Sequence, residues 1–286
     1  MLLLVGAVPV AELPLLIGRL ELSEQGIRIN GHELGMNRGN EAMMAAACLI
    51  CREYDVSAPV AMVAGDIGKR DGSKAIYEHL AGHLPEIKPE VMTMHYMMPD
   101  LKLNKKVLAT IAGMEHKPLL IADAGSMYVA KAGGDAPLYE VFTPDLGETA
   151  FLADDKADHP SFTRGFIFHQ ENDVPELISR AYSSHNAART MFVKGAVDYI
   201  CQDGEILDSI DKPLVETMEP IGGTGDLITG MISGLIHAGV APLEACGLAG
   251  RVNRVAGEMA KPDPATQIDA ILHYLPAALA HVQRLS

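Results

Sequence analysis

A glycine-rich turn and an acidic residue stand together in the segment that starts at residue 219. The segment reads Glu-Pro-Ile-Gly-Gly-Thr-Gly-Asp and leads into a run of small and apolar residues with helical spacing. Backbone N–H groups at such a turn point to one place, and the helix dipole adds partial positive charge there. The turn therefore predicts an anion hole built from the amides of Gly223, Thr224 and Gly225.

Asp226 lies in the first turn of that predicted helix. The field that attracts an anion also stabilises the carboxylate, which can then accept a proton from a substrate hydroxyl. The amides would meanwhile hold the charge on a phosphoryl group during its transfer. An ordinary turn followed by an acidic residue at the start of a helix explains the same sequence. The assignment of an anion hole and a catalytic base therefore depends on the rest of the chain.

Polar side chains also follow three predicted strands. Asp123 comes after an apolar run, where a carboxylate binds a ligand hydroxyl or caps a helix. Lys194 is the only charge at its strand end, and it either contacts a phosphate or is an ordinary solvated lysine. Asp145 and Glu148 are three residues apart at a strand-to-helix turn, a spacing that suits a water-mediated Mg²⁺ site or a capping box.

Four segments resemble the ribokinase-like superfamily, and most closely its NAD(P)H-hydrate dehydratase branch. They read Gly-Thr-Gly-Asp-Leu-Ile-Thr-Gly from residue 223, Leu-Leu-Ile-Ala-Asp-Ala from 119, Phe-Thr-Pro-Asp-Leu-Gly-Glu from 142 and Met-Phe-Val-Lys-Gly-Ala from 191. The similarity runs from Asn37 to Ala260, and the order of the segments agrees with that branch. The chain departs from the branch at Ile121, where the branch has Asp, and at Asp145, where the branch has His.

The resemblance implies an enzyme that uses ATP or ADP with Mg²⁺ on a small-molecule substrate. It gives Asp226 the role of catalytic base. The binding residues that it implies are Gly222, Lys194 and Asn253 for the nucleotide, Asp123 and Asn40 for the substrate, and Asp145 and Glu148 for the metal. Gly65 and Asp66 are added to the substrate residues because their glycine-containing loop follows a predicted strand and precedes a predicted helix.

Two reactions fit such a site. In the first, which the dehydratase-like segments favour, the nucleotide activates the hydroxyl of a hydrated nicotinamide ring, and loss of a water equivalent restores NADH or NADPH. In the second, ATP phosphorylates a sugar or another small alcohol. This alternative stays open because Gly-Met-Asn-Arg-Gly-Asn-Glu-Ala-Met, from residue 35, differs from the branch's usual glycine-rich segment. A non-catalytic nucleotide sensor is a third reading, and the carboxylate of Asp226 argues against it.

Apolar runs of strand length alternate with helical patterns, which predicts an α/β fold. We expect a mostly parallel central sheet flanked by helices on both faces, the ribokinase-like three-layer α/β/α arrangement. Predicted strands span residues 59–64, 118–122, 140–143, 190–193 and 197–201. Predicted helices span residues 40–54, 73–83, 104–114, 147–154, 174–184, 224–238, 242–260 and 264–282. One domain is expected over residues 1–286, with a small hairpin or flap at 21–36 that contains an Asn-Gly turn signal.

The charge balance argues against nucleic acid and membranes as partners. The chain of 286 residues has 23 Lys and Arg against 37 Asp and Glu, a net charge of -14 that repels anionic surfaces. Proline and glutamate interrupt the apolar start, so it predicts neither a signal peptide nor a membrane span. With only four cysteines, the Cys48 and Cys51 pair included, we expect buried thiols and a cytoplasmic protein. A homo-oligomer through a sheet edge is possible on this pattern.

Overall fold

One twisted sheet runs through the molecule. The structure is a computed structural model and describes residues 1–24, 26–36, 38–157, 174–263 and 265–285. Its strands are β1 (Leu2–Val8), β2 (Leu16–Leu22), β3 (Ile27–Ile29), β4 (His32–Leu34), β5 (Val60–Gly65), β6 (Val91–His95), β7 (Leu119–Ala122), β8 (Val141–Phe142), β9 (Thr190–Val193), β10 (Asp198–Gln202) and β11 (Glu205–Ile210). Within these residues the strand order is β11-β10-β9-β8-β7-β6-β1-β5-β2-β3-β4.

The centre of the sheet is parallel and both edges are antiparallel. From β5 through β1, β6, β7 and β8 to β9, each strand pairs in parallel with the next. The antiparallel strands β2, β3 and β4 extend one edge, and β10 and β11 extend the other. The turn at Asn30 and Gly31, both with positive φ, joins β3 to β4. Because the central strands share one direction, their carboxyl ends lie along one edge of the sheet.

Helices cover both faces of this sheet. They are α1 (Asn40–Glu53), α2 (Asp71–Ile87), α3 (Leu101–Ala112), α4 (Gly125–Gly133), α5 (Leu146–Ala153), α6 (Val174–Ser183), α7 (Thr224–His237), α8 (Pro242–Ala260), α9 (Ile268–Leu272) and α10 (Leu275–Leu285). One hydrophobic core packs α1, α7, α8, α9 and α10 against a face. A second core packs α2, α3, α4, α5 and α6 against the other. The predicted three-layer α/β/α fold is confirmed.

The sequence pattern misplaced or missed several elements. The sequence pattern does not predict β1, β2, β6, β11 or α4, although β1 and β6 are buried along their whole length. A strand covered on both faces is continuously apolar, so it lacks the alternation that marks a half-exposed strand. The single helix predicted over residues 264–282 is wrong: Pro264 lies outside the described residues, and α9 and α10 are separate helices with His273 and Tyr274 between them. In the described part of the chain, the helices are too short or too polar to cross a bilayer.

The contact between α1 and α7 depends on glycine. A Cβ atom at Gly230 would lie 2.1 Å from the carbonyl oxygen of Met43, and one at Gly234 would lie 2.9 Å from Cβ of Ile50. Side chains there would separate the two helices. Glycine therefore lets α7 approach α1 closely, and this approach places the amino-terminal ends of both helices side by side.

We expect Gly230→Ala to lower the free energy of unfolding by about 1–3 kcal/mol, because the added methyl group would press against the backbone of α1. Gly82→Ala is the matched control. Gly82 lies inside α2, and no described atom comes within 4 Å of a Cβ built there. That exchange should raise stability by about 0.5–1 kcal/mol through the lower entropy of the unfolded chain. Urea unfolding measures both, and equal effects would contradict the close-packing account.

Candidate active site

Four charged or titratable side chains meet where the central strands end. His95 is the last residue of β6, Asp123 follows β7, and Lys194 follows β9. Asp226 reaches the same place from the first turn of α7. All four are buried or nearly so, with side-chain exposures of 1%, 2%, 14% and 10% respectively. The parallel sheet therefore joins residues that are far apart in the sequence into one polar cluster.

Two donors hold the Asp226 carboxylate. Nε2 of His95 donates to Oδ1 over 2.7 Å, and the backbone N–H of Gly39 donates to Oδ2 over 2.6 Å. Gly39 has φ 68° and immediately precedes α1, so the amino-terminal ends of α1 and α7 both face this carboxylate. Burial alone would raise the pKa of Asp226. The hydrogen bond and charge of His95, together with the charge of Lys194, outweigh burial and lower that pKa. Asp226 is therefore an oriented carboxylate anion.

Asp123 and Lys194 form a buried ion pair across β8. Nζ of Lys194 lies 3.1 Å from Oδ1 and 3.0 Å from Oδ2 of Asp123. The hydroxyl of Thr229 and the backbone N–H of Ala124 also donate to Asp123, over 2.6 Å and 2.8 Å. Burial would lower the pKa of Lys194, but the charges of Asp123, Glu148 and Asp226 raise it. Lys194 is therefore a fixed cation.

The predicted anion hole lies against this cation. A Cβ atom at Gly225 would be 3.1 Å from Cδ and 3.4 Å from Nζ of Lys194, so the lysine side chain runs beside the glycine turn. Gly223, with φ 108°, caps α7 and forces the sharp entry into the helix. Gly222 comes close to the side chain of Arg38. The glycine turn, the amino terminus of α7 and Lys194 thus lie together, an arrangement that favours an anion.

His95 is the site residue that the sequence reasoning missed. Its side chain is buried, and its Nε2 is also 4.0 Å from Oδ2 of Asp123. Burial would lower the pKa of His95, but the charge of Asp123 and the hydrogen bond to Asp226 raise it. The side chains of His95, Asp123 and Asp226 are close enough to share a cation. We assign the cluster to ion pairing instead, because Lys194 already supplies a positive charge to Asp123 and the raised pKa of His95 favours its charged form.

The raised pKa of His95 makes a prediction about stability. A histidine whose pKa is raised on folding stabilises the protein fully below its unfolded pKa of 6.5, and this stabilisation disappears as the pH rises through the folded pKa. His95→Gln keeps a donor for Asp226 but carries no charge. We expect the variant to be less stable than the wild type at low pH, and the gap to shrink as the pH increases.

Thermal unfolding of the wild type and of His95→Gln from about pH 5 to about pH 9 measures this gap, because the pH range brackets the ordinary pKa of histidine. His116→Gln, at an exposed position, controls for the loss of a histidine elsewhere. A gap between the wild type and His95→Gln that stays constant over this range would contradict a charged His95.

Asp145 and Glu148 form a capping box. This is one of the two interpretations that their spacing in the sequence allows. Oδ1 of Asp145 accepts from the N–H of Glu148 over 2.8 Å, and Oε2 of Glu148 accepts from the N–H of Asp145 over 2.9 Å. The hydroxyl of Tyr128 donates to Oε1 of Glu148 over 2.7 Å. Asp145 also forms a parallel bridge with Lys194, which places this helix start next to the cluster.

The other predicted binding residues lie around the cluster or beyond it. Nδ2 of Asn40 donates to the carbonyl oxygens of Ala7 and His95, so Asn40 ties α1 to the ends of β1 and β6. Asp66 follows Gly65 at the end of β5, and its carboxylate accepts from the N–H groups of Gly68, Arg70 and Ser73. Gly65 and Asp66 line a separate cavity of about 420 Å³. Asn253 is buried in α8.

Comparison with known proteins shows which family this chain is similar to. A sequence model described as NAD(P)H-hydrate dehydratase matches residues 99–277. An uncharacterized protein of Methanocaldococcus jannaschii is 40% identical over 238 residues, 83% of this chain and 98% of that protein. An ADP-dependent (S)-NAD(P)H-hydrate dehydratase of Cenarchaeum symbiosum is 29% identical over 214 residues, 72% of this chain and 67% of that protein.

A solved structure supports the fold. The ADP/ATP-dependent NAD(P)H-hydrate dehydratase of Bacillus subtilis superposes with a TM-score of 0.57 at 16% identity, over 99% of this chain and 90% of that chain. At this identity the likeness shows the shared ribokinase-like α/β fold. The family model covers more than half of the chain and includes Asp123, Lys194 and Asp226. The chain therefore belongs to the NAD(P)H-hydrate dehydratase family, a family of lyases with the ribokinase-like fold.

Proposed function

We propose that this protein uses ATP or ADP to remove water from hydrated NADH or NADPH, with Asp226 as the catalytic base. The observation that carries the proposal is the double anchoring of Asp226 by His95 and by the N–H of Gly39, beside Lys194 and the glycine turn. A carboxylate fixed in this way is ready to orient a hydroxyl. The anion hole beside it suits a phosphoryl group.

The proposed reaction begins at the hydroxyl of the hydrated ring and ends with release of inorganic phosphate. Asp226 takes the proton of the ring hydroxyl, and the hydroxyl oxygen attacks the terminal phosphorus of the nucleotide, whose bridging oxygen leaves with the remaining phosphates. The C–O bond of the ring then breaks, and inorganic phosphate departs with that electron pair. Water takes a proton from the neighbouring ring carbon, and the electron pair of that C–H bond restores the ring double bond. The amides of Gly223, Thr224 and Gly225 and the cation of Lys194 would hold the negative charge of the transferred group.

We further propose that Asp145 and Glu148 hold the Mg²⁺ that accompanies the nucleotide phosphates, through its water ligands. Their carboxylates accept backbone N–H groups, and each oxygen retains a further lone pair for a metal-bound water. Mg²⁺ keeps several waters when it binds proteins, so this donor set fits it. When bound, the ion would neutralise charge on the phosphates. The nucleotide itself would contact Gly222, Lys194 and Asn253, and the substrate would contact Asp123 and Asn40, with Gly65 and Asp66 further along the sheet.

Incubation with hydrated NADH and either ATP or ADP tests the proposal. We expect the absorbance of the reduced ring to return only when a nucleotide is present. If the ring does not recover, and a panel of sugars and small alcohols stimulates ATP consumption instead, the protein is a kinase. If neither occurs while nucleotide binds, it is a non-catalytic nucleotide-binding protein.

A further inference from the structure

Tyr96 combines a rare backbone conformation with an exposed aromatic ring. It follows His95 directly, has φ 50°, and its side chain is 49% exposed. A bulky residue in the left-handed region costs free energy, and such strain persists where the surrounding structure enforces it, often at ligand sites. The position of this strained tyrosine beside the cluster is therefore typical of a residue that serves a ligand site.

The segment after Tyr96 fixes its backbone. Met97 is buried, and a Cβ atom at Gly125 would lie 2.4 Å from the Met97 carbonyl oxygen, so this backbone packs directly on the start of α4. The N–H of Met98 donates to Oγ of Ser73 over 3.0 Å. The guanidinium of Arg70 donates to the carbonyl oxygen of Pro99. These contacts hold the chain after the strained residue, and β6 holds the chain before it.

The tyrosine ring lies next to the catalytic carboxylate. Its centroid is 4.1 Å from that of His95, the residue that holds Asp226. The N–H of Gly39 is the other donor to Asp226. A Cβ atom at Gly39 would lie 3.4 Å from Cδ2 and Cε2 of Tyr96. Burial and the charges of Asp226 and Asp123 raise the pKa of the Tyr96 hydroxyl, which therefore stays protonated. Tyr96 thus presents a neutral, half-open ring at the edge of the buried site.

We propose that Tyr96 determines substrate specificity by stacking on the flat conjugated part of the hydrated nicotinamide ring, whose hydroxyl then faces Asp226. This inference rests on the proposed function. A flat ring with a carboxamide gains from an aromatic face in an offset arrangement. An open-chain polyol offers no flat conjugated face, so the same tyrosine favours the nicotinamide ring over it.

Tyr96→Ala removes the ring, and Tyr96→Phe keeps it without the hydroxyl. Reduced nicotinamide mononucleotide is the binding probe, because it carries the ring and lacks the adenylate half. Calorimetric titration into protein saturated with ADP then reports binding of the nicotinamide half of the substrate, and the comparison of variants isolates the contribution of the tyrosine ring. We expect about tenfold weaker binding for Tyr96→Ala and recovery of most of the affinity in Tyr96→Phe. In turnover assays Tyr96→Ala should raise KM for the hydrate by a similar factor and leave KM for the nucleotide unchanged.

Leu138→Ala, at an exposed position outside the site, is the control for a lost surface side chain. Unchanged probe binding in a folded Tyr96→Ala protein overturns the stacking proposal, even if the wild type dehydrates the substrate. No probe binding to the wild type overturns it as well. If the wild type fails to dehydrate the substrate but Tyr96→Ala still loses probe affinity, the stacking role stands and the proposed reaction falls.

Discussion

Replacement of Asp226 by asparagine is expected to lower turnover at least ~100-fold while nucleotide affinity stays nearly unchanged. Asparagine has the shape of aspartate, so its side-chain oxygen can still accept from the N–H of Gly39. Its NH2 group can donate to Nε2 of His95 once that nitrogen has given up its proton. It cannot accept the proton of a hydroxyl. The loss therefore falls on the chemical step, and the measurement is turnover at saturating substrate beside calorimetric titration of ADP.

A matched exchange separates this effect from the simple loss of a negative charge. Asp55→Asn alters an exposed aspartate after α1 that has φ 52°, a conformation that asparagine tolerates. We expect it to retain wild-type turnover. If Asp226→Asn also retained it, the carboxylate would not be the base, and its bonds to His95 and Gly39 would be structural.

Lys194→Ala is expected to weaken nucleotide binding and to destabilise the protein. The exchange removes the cation beside the glycine turn, and it leaves Asp123 buried without its ion-pair partner. Removal of one partner of a buried pair costs about 3–5 kcal/mol of folding free energy. Calorimetry with ADP and urea unfolding measure the two effects. Lys106→Ala, at an exposed position on α3, should change neither.

A second variant separates the two roles of Lys194. In the double variant Lys194→Ala, Asp123→Asn, both charges of the ion pair are absent. Much of the folding free energy lost in Lys194→Ala should therefore return. Nucleotide affinity should stay low, because the cation is still missing. Wild-type affinity in the double variant would mean that Lys194 serves only to neutralise Asp123.

Local patterns predicted the parts of the site that depend on neighbouring residues. The glycine turn and Asp226 are adjacent in the sequence, and the spacing of Asp145 and Glu148 had already suggested their reciprocal hydrogen bonds. The same pattern could not choose between a cap and a metal site, because both use two carboxylates at a helix start. Where two chemistries need the same spacing, only the surroundings decide.

The partners of these residues depend on contacts between distant segments. Gly39 and Asp226 are 187 positions apart, and His95 and Asp226 are 131 apart. His95 was missed because β6 was missed: a methionine-rich run that continues through Tyr96, Met97 and Met98 has no turn residue to mark where the strand ends. A single histidine in such a run gives no metal or catalytic spacing. Once β6 lies beside β7, its terminal residue must join the cluster.

The most direct test of the account is the balance of products formed from hydrated NADH and nucleotide. We expect inorganic phosphate and NADH to form in equal amounts, with one nucleotide phosphate consumed for each ring restored. Asp226→Asn should lower the rate of both together at least ~100-fold. A phosphate ester that accumulates on the substrate hydroxyl, without recovery of the reduced ring, would show that the phosphorylated oxygen is retained and would contradict the account.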